Sequence, residues 1–148
     1  MNREVTILFK DEWKLCLSSQ DPVLRIHIPP DGGFDRDAIR KSYERARRVM
    51  AECYPELEYK AFFCSSWLMS ADLQQILKPS SNILGFQECF TRLPFPSSGR
   101  LVFMFVFPKL SVIPQDYSLL PEETSLQRAI KKLYQSGGYL HEGAGFFF

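Results

Sequence analysis

Three short apolar runs open the chain, VTILF (residues 5–9), WKLCLS (13–18) and VLRIHI (23–28), separated by polar breaks, the second being Ser19-Gln20-Asp21-Pro22. Runs of that length ended by turn formers predict two or three strands, antiparallel to one another. Pro29, Pro30, Asp31, Gly32 and Gly33 then stop the sheet, and Asp35 stands where it would cap a helix. Behind it Ile39, Ser42, Tyr43, Ala46, Val49, Met50 and Cys53 recur at spacings of three and four, which predicts a buried helical stripe. Arg40, Glu44, Arg48 and Glu52 follow one another at i,i+4 on the other side.

Tyr54-Pro55 ends that helix, and the aromatic YKAFFC (59–64) predicts a strand. The separation of VLRIHI and YKAFFC leaves room for a helical crossover, so these two strands are expected to be adjacent and parallel. Ser70 is placed to cap a short helix with Leu73, Ile76 and Leu77 inward, stopped near Pro79. ILGFQECF (83–90) and RLVFMFVF (100–107) then read as a strand hairpin across a Pro- and Ser-rich connection, the second strand apolar enough to be covered on both faces. Thr124 and Gln127 make a capping box for a last helix whose Leu126, Ala129, Ile130, Leu133 and Tyr134 face inward, and Gly137-Gly138 ends it. The terminal GFFF reads as a closing strand. Together these elements make an α+β (mixed α/β) layer fold.

With 148 residues, 45% of them hydrophobic, the chain suits a single domain around one core, residues 1–148. A net charge of +1 creates no field for nucleic acid or an anionic membrane, and neither is expected as a partner. Cys16, Cys53, Cys64 and Cys89 are too scattered for a redox pair or a zinc site, so reduced thiols and no metal are expected. Charges at Arg3, Glu4, Lys10, Asp11 and Glu12 interrupt any secretion-signal core, and no apolar run has the roughly 20 residues of a membrane helix. A cytoplasmic protein is the expectation.

HIPPDGG, FFCSSWL, SSNILGFQ and SLQRAI, in that order and at these spacings, resemble the GNAT-like C-terminal domain of bacterial acyltransferase-like proteins, over nearly all of residues 23–148. The resemblance implies the second half of an acyl-CoA N-acyltransferase fold, a central mixed sheet flanked by helices. It implies acyl-CoA as cosubstrate, a small-molecule amine as acceptor, and a partner in the form of an N-terminal GNAT-like half or a second copy of the chain. Residues 1–22 would then be strands cut from a longer protein, with an edge open to association.

In the fold so implied, two neighbouring parallel strands part at their C-terminal ends and the pantetheine arm pairs with the backbone between them. The matching strands, VLRIHI and YKAFFC, bring His27, Ile28 and Pro29 opposite Cys64, Ser65 and Ser66. His27 could accept the proton of an attacking amine; the plainer reading is a half-buried polar residue alternating with Arg25 and Pro29. Cys64 could be a nucleophile with His27 as its base, or a core thiol. Ser65 and Ser66 could bond a ligand or turn the chain into the next helix. Ile28, Gly32, Gly33 and Ser65 are the implied cofactor contacts, the glycines lying before a helix N-terminus where backbone N–H groups hold phosphate.

The chain departs from the resembled pattern in two places. The Arg/Gln-x-x-Gly-x-Gly/Ala phosphate loop is absent, and Asp31, Asp35 and Asp37 put negative charge where the loop would stand. The general-acid tyrosine expected seven residues after an asparagine falls on Cys89 when counted from Asn82, leaving Tyr134 and Tyr139 as substitutes. Trp67 is either a pocket floor or core. Two functions compete: an acyltransferase-like domain that moves an acyl group from a CoA thioester to an amine, and a noncatalytic binding or scaffold module of the same fold.

Overall fold

The Asp35 side chain accepts a hydrogen bond from the Ala38 N–H at 2.8 Å and so starts the longest helix, α1 (Arg36–Cys53). In the computed structural model, which describes residues 11–29, 34–93, 95, 97–110 and 112–148, α1 is the crossover between two parallel strands, β1 (Val23–Arg25) and β2 (Ala61–Ser66). The VTILF run, Gly32 and Gly33 lie outside the described residues. The parallel, adjacent placement expected of VLRIHI and YKAFFC is present, although the paired part of VLRIHI is short. Replacing Asp35 with Ala should cost about 0.5–2 kcal/mol in denaturant unfolding, because an orphan helix N–H loses its acceptor. A cost near zero accompanied by tighter CoA binding would instead mean that Asp35 guards an anion site.

The stripe on α1 is half-buried rather than buried. Ile39, Tyr43, Ala46 and Met50 are partly covered, while Ser42, Val49 and Cys53 are exposed, and no residue of the helix is fully enclosed. The contact is concentrated at Tyr43, whose ring lies 4.8 Å from Phe147 and 5.6 Å from Phe62 on one face of the sheet. Of the charges on the outer side, Arg40 and Glu44 pair at 2.7 Å.

Two segments expected as strands are helices. Asn82–Gln87 forms α2, with the Ser81 hydroxyl accepting from the Ile83 N–H at 3.3 Å. Phe86 and Phe90, one helical turn apart in sequence, enter the same apolar cluster with Cys64 and Met69. Arg100–Val106 forms α3, burying Val102, Phe103, Val106 and Phe107 at i, i+1, i+4 and i+5, a helical stripe, and leaving Met104 and Phe105 each 57% exposed. Short apolar runs read alike as buried strand or buried helix, and here the ends decide. Gly99 takes the left-handed φ of 65° that begins α3, and the Glu142 carboxylate accepts from the Leu101 N–H at 3.0 Å. The expected hairpin is therefore absent, and the strand in that region is instead β3 (Thr91–Leu93), exposed at all three positions.

WKLCLS is likewise no strand: residues 13–18 are irregular, with Trp13 60% and Leu15 79% exposed. A strand needs a neighbour for its backbone groups, and among the described residues this segment has none. Ser70 precedes a 3-10 helix (Ala71–Gln75), not an α-helix, and makes no side-chain cap there; Leu73 is fully buried and Ile76 and Leu77 partly so, as expected.

The last helix, α4 (Ser125–Gln135), carries the full capping box: Thr124 Oγ1 accepts from the Gln127 N–H, and Gln127 Oε1 accepts from the Thr124 N–H, both at 3.1 Å. The same Gln127 donates to the Val106 carbonyl at 2.8 Å, which fastens the end of α3 to the start of α4. The terminal strand, β4 (Gly143–Phe147), lies inside the sheet, antiparallel to both neighbours, in the order β1-β2-β4-β3 among the described residues. Gly143 is required there, since a Cβ would run into the Met69 backbone. The larger core, around Leu73, Phe107, Ile130 and Leu140, joins α3 and α4 to the chain that leaves β2.

Candidate functional site

Strands β1 and β2 stay in register from Val23↔Ala61 to Arg25↔Phe63, and the final bond of their ladder runs from the Ile26 N–H to the Phe63 carbonyl at 2.8 Å. Beyond it β1 turns away. β2 continues to Ser66 because β4 holds its other side, with Ser65 opposite Ala144 and Ser66 opposite Gly143. Backbone groups on a strand point alternately to its two neighbours, so Phe63 and Ser65 address β1 while Cys64 and Ser66 address β4. Among the described residues, the parting therefore leaves the Ser65 N–H and C=O on one side and the Ile26 C=O and Ile28 N–H on the other without a strand partner.

A cleft of about 460 Å³ fills the gap. It is lined by the polar residues Arg25, His27, Ser65 and Ser66 and by Ile28, Phe34, Trp67, Leu68, Ile83, Leu101 and Phe105 among others. A smaller cavity of about 200 Å³ lies on the α1 side of the same segment, bounded by His27, Ile28, Phe34, Ala38, Ser42 and Tyr43 among others. Residues 26–29 thus form a partition with a hollow on each side.

His27 is exposed and borders both hollows. Ser65 Oγ accepts from an Arg25 guanidinium N–H at 3.4 Å, which holds a cation beside the serine in the cleft. Ser66 Oγ accepts from the Leu68 N–H at 3.2 Å and caps the 3-10 turn Trp67–Met69; its own O–H is left to donate. Trp67, only 9% exposed, serves both of the roles weighed for it, as cleft wall and as core.

Cys64 does not line either cavity. Its side chain is 1% exposed against Met69, Phe86 and Phe90, and burial pushes the thiol up to about 11, with nearby Arg25 opposing only in part. A thiol held protonated at neutral pH fits the core reading and not that of a nucleophile. Tyr134 and Tyr139 are also away from the cleft: burial pushes the Tyr134 hydroxyl up, and the Tyr139 hydroxyl donates to the Ser98 carbonyl at 2.8 Å. Among the described residues no three His, Cys, Asp or Glu side chains gather as metal ligands. None of the described helices is long and apolar enough to cross a membrane.

The geometry brings together His27, Ile28, Ser65 and Ser66, four of the residues singled out in the sequence. Arg25, Leu101 and Phe105 were not among them. Arg25 was within reach, since it shares a strand face with His27. Leu101 and Phe105 were hidden by the reading of their segment as a strand.

The fold is that of known acyltransferases. The chain superposes on the structure of an acyltransferase in complex with decanoyl-CoA with a TM-score of 0.75 at 26% identity, covering 95% of this chain and 41% of that one. Similar matches are the acyltransferase with decanoyl-CoA and teicoplanin (TM-score 0.73, 26% identity, 95% and 42% covered) and with CoA and 10C-teicoplanin (0.73, 27%, 93% and 42%). The chain thus spans about two fifths of the length of these structures. No curated protein matches it significantly. Over residues 4–147 its sequence matches the GNAT-like C-terminal domain, and the chain belongs to that family.

Proposed function

We propose that this domain binds an acyl-CoA in the cleft between β1 and β2 and contributes to transfer of the acyl group to an amine. The observation that carries the reading is the parting of the two strands beyond Ile26, which leaves the Ser65 and Ile28 backbone groups free to pair with the amides of an extended pantetheine arm. The acyl-CoA complexes of the similar acyltransferases support it.

The roles follow from position. The amine nitrogen attacks the thioester carbonyl carbon, the Ser66 O–H stabilises the negative charge on oxygen, and the imidazole of His27 takes the proton the amine releases. The C–S bond then breaks and the proton held by His27 passes to the sulfur, so CoA leaves as a thiol. Because the chain spans about two fifths of the similar structures, the full reaction is assigned to this domain together with an N-terminal half, or with a second copy that supplies the missing wall. The acceptor is a small-molecule amine and the setting cytoplasmic.

A second reading is a noncatalytic binding or scaffold module, favoured by the acidic residues Asp31, Asp35 and Asp37 in place of the usual phosphate loop and by Cys89 in place of a tyrosine. Calorimetry with decanoyl-CoA separates the two. Micromolar binding, about −8 kcal/mol, is the expected result, and no binding by purified, folded chain would leave the scaffold reading.

A further inference from the structure

Two of the elements that line the cleft are joined by a residue that does not line it. Ser65 and Ser66 come from β2, where Ser66 is paired with Gly143, the first residue of β4, and Leu101 and Phe105 come from α3. Glu142 stands directly before Gly143, and its carboxylate accepts from the Leu101 N–H at 3.0 Å. The same residue's N–H donates to Ser97 Oγ at 2.6 Å, and that oxygen also accepts from the Gly99 N–H at 3.0 Å. One position earlier, Asp72 Oδ2 accepts from the His141 N–H at 3.1 Å and lies 3.0 Å from His141 Nδ1, which ties the segment to the chain that leaves β2. Helix α3 is seven residues long and begins at Gly99, which has no side chain to cap it, so the Leu101 N–H takes its acceptor from 41 residues away.

We propose that Glu142 is a positioning residue of the cleft: through the Leu101 N–H it fixes where α3 stands relative to the end of β2, and so holds Leu101 and Phe105 at a set spacing from Ser65 and Ser66. This rests on the acyl-CoA reading of the cleft and adds to it a residue that touches no ligand. The backbone of Glu142 is anchored by Ser97 on one side and by the pairing of Gly143 with Ser66 on the other, so its carboxylate acts as a strut of fixed length. A helix of two turns has few bonds of its own to hold its place, and without the strut its start can settle in more than one position. Affinity then falls by the share of molecules in which the cleft has the wrong width.

Calorimetry with decanoyl-CoA on the purified chain and three variants tests the strut, with urea unfolding of each variant to show that it is folded. Glu142→Ala removes the acceptor and should weaken binding by about tenfold, the factor that a hydrogen bond to a charged group is worth. Glu142→Gln should recover most of that loss, because its side-chain carbonyl accepts the same bond without the charge. Thr124→Ala removes the cap of α4, a helix with no residue in the lining of the cleft, and should lower stability while affinity is unchanged. Unchanged affinity in Glu142→Ala would overturn the positioning role and leave the cleft reading standing. A Glu142→Gln variant as weak as Glu142→Ala, or an equal loss in Thr124→Ala, would overturn it too, since either result separates affinity from the bond to Leu101. Failure of the unsubstituted chain to bind would overturn both readings.

Discussion

Phe107→Ala is expected to lower the free energy of unfolding by about 3–5 kcal/mol. The ring is 1% exposed at the end of α3, 5.9 Å from the ring of Phe103, in the cluster that also holds Ile130 and Leu140. Truncation would leave a cavity that cannot collapse easily, because the Gln127 side chain bonds the Val106 carbonyl and so holds the end of α3 in place. Since domains of this size have stabilities of about 5–15 kcal/mol, such a loss removes a large share of the total. It should also blunt ligand binding, for the helix whose inner face contains Phe107's neighbours presents Leu101 and Phe105 to the cleft. Urea unfolding measures the first effect, and a loss below about 1 kcal/mol would mean that α3 does not pack as described.

Ser65→Trp should weaken acyl-CoA binding by about 5- to 140-fold while stability changes little. Ser65 is half-buried at the mouth of the gap, and its hydroxyl has only a long bond to Arg25 to lose. An indole there occupies the space a pantetheine arm needs, so the hydrogen bonds to the Ser65 and Ile28 backbone cannot form. Two such bonds at about 0.5–1.5 kcal/mol each, with tenfold in affinity per 1.4 kcal/mol, give that range. Unchanged affinity in a titration would place the ligand elsewhere.

The part of the molecule that was legible in the sequence is the part where local pattern and long-range demand agree. VLRIHI and YKAFFC flank a helix with a clear start at Asp35 and a long amphipathic repeat, and a crossover of that length makes parallel neighbours. Their ends could then be set opposite one another, which placed His27, Ile28, Ser65 and Ser66 at one cleft. The Thr124–Gln127 box was readable because capping depends on neighbouring residues alone. What failed were ILGFQECF and RLVFMFVF, eight residues each, too short for a period of two to be told from one of 3.6, the second also apolar at every position after Arg100. The deciding contacts are remote in sequence: the Glu142 carboxylate at the start of α3, and Phe86 and Phe90 turned together toward Cys64 and Met69. β3 escaped notice because a three-residue strand exposed at every position has no apolar alternation to betray it; its place comes from pairing with β4. With α3 read as a strand, the apolar wall of the cleft was out of reach.

On the proposed function, the backbone freed by the parting of β1 and β2 receives an acyl-CoA. Amide hydrogen exchange, read residue by residue by NMR with and without decanoyl-CoA, tests it most directly. Protection should rise at the Ser65 and Ile28 amides, the donors left without a strand partner, more than at Arg92 or His141 beside the groove at the other edge of the sheet. Binding that leaves Ser65 and Ile28 exchanging as fast as in the free protein would place the acyl-CoA outside the gap between β1 and β2.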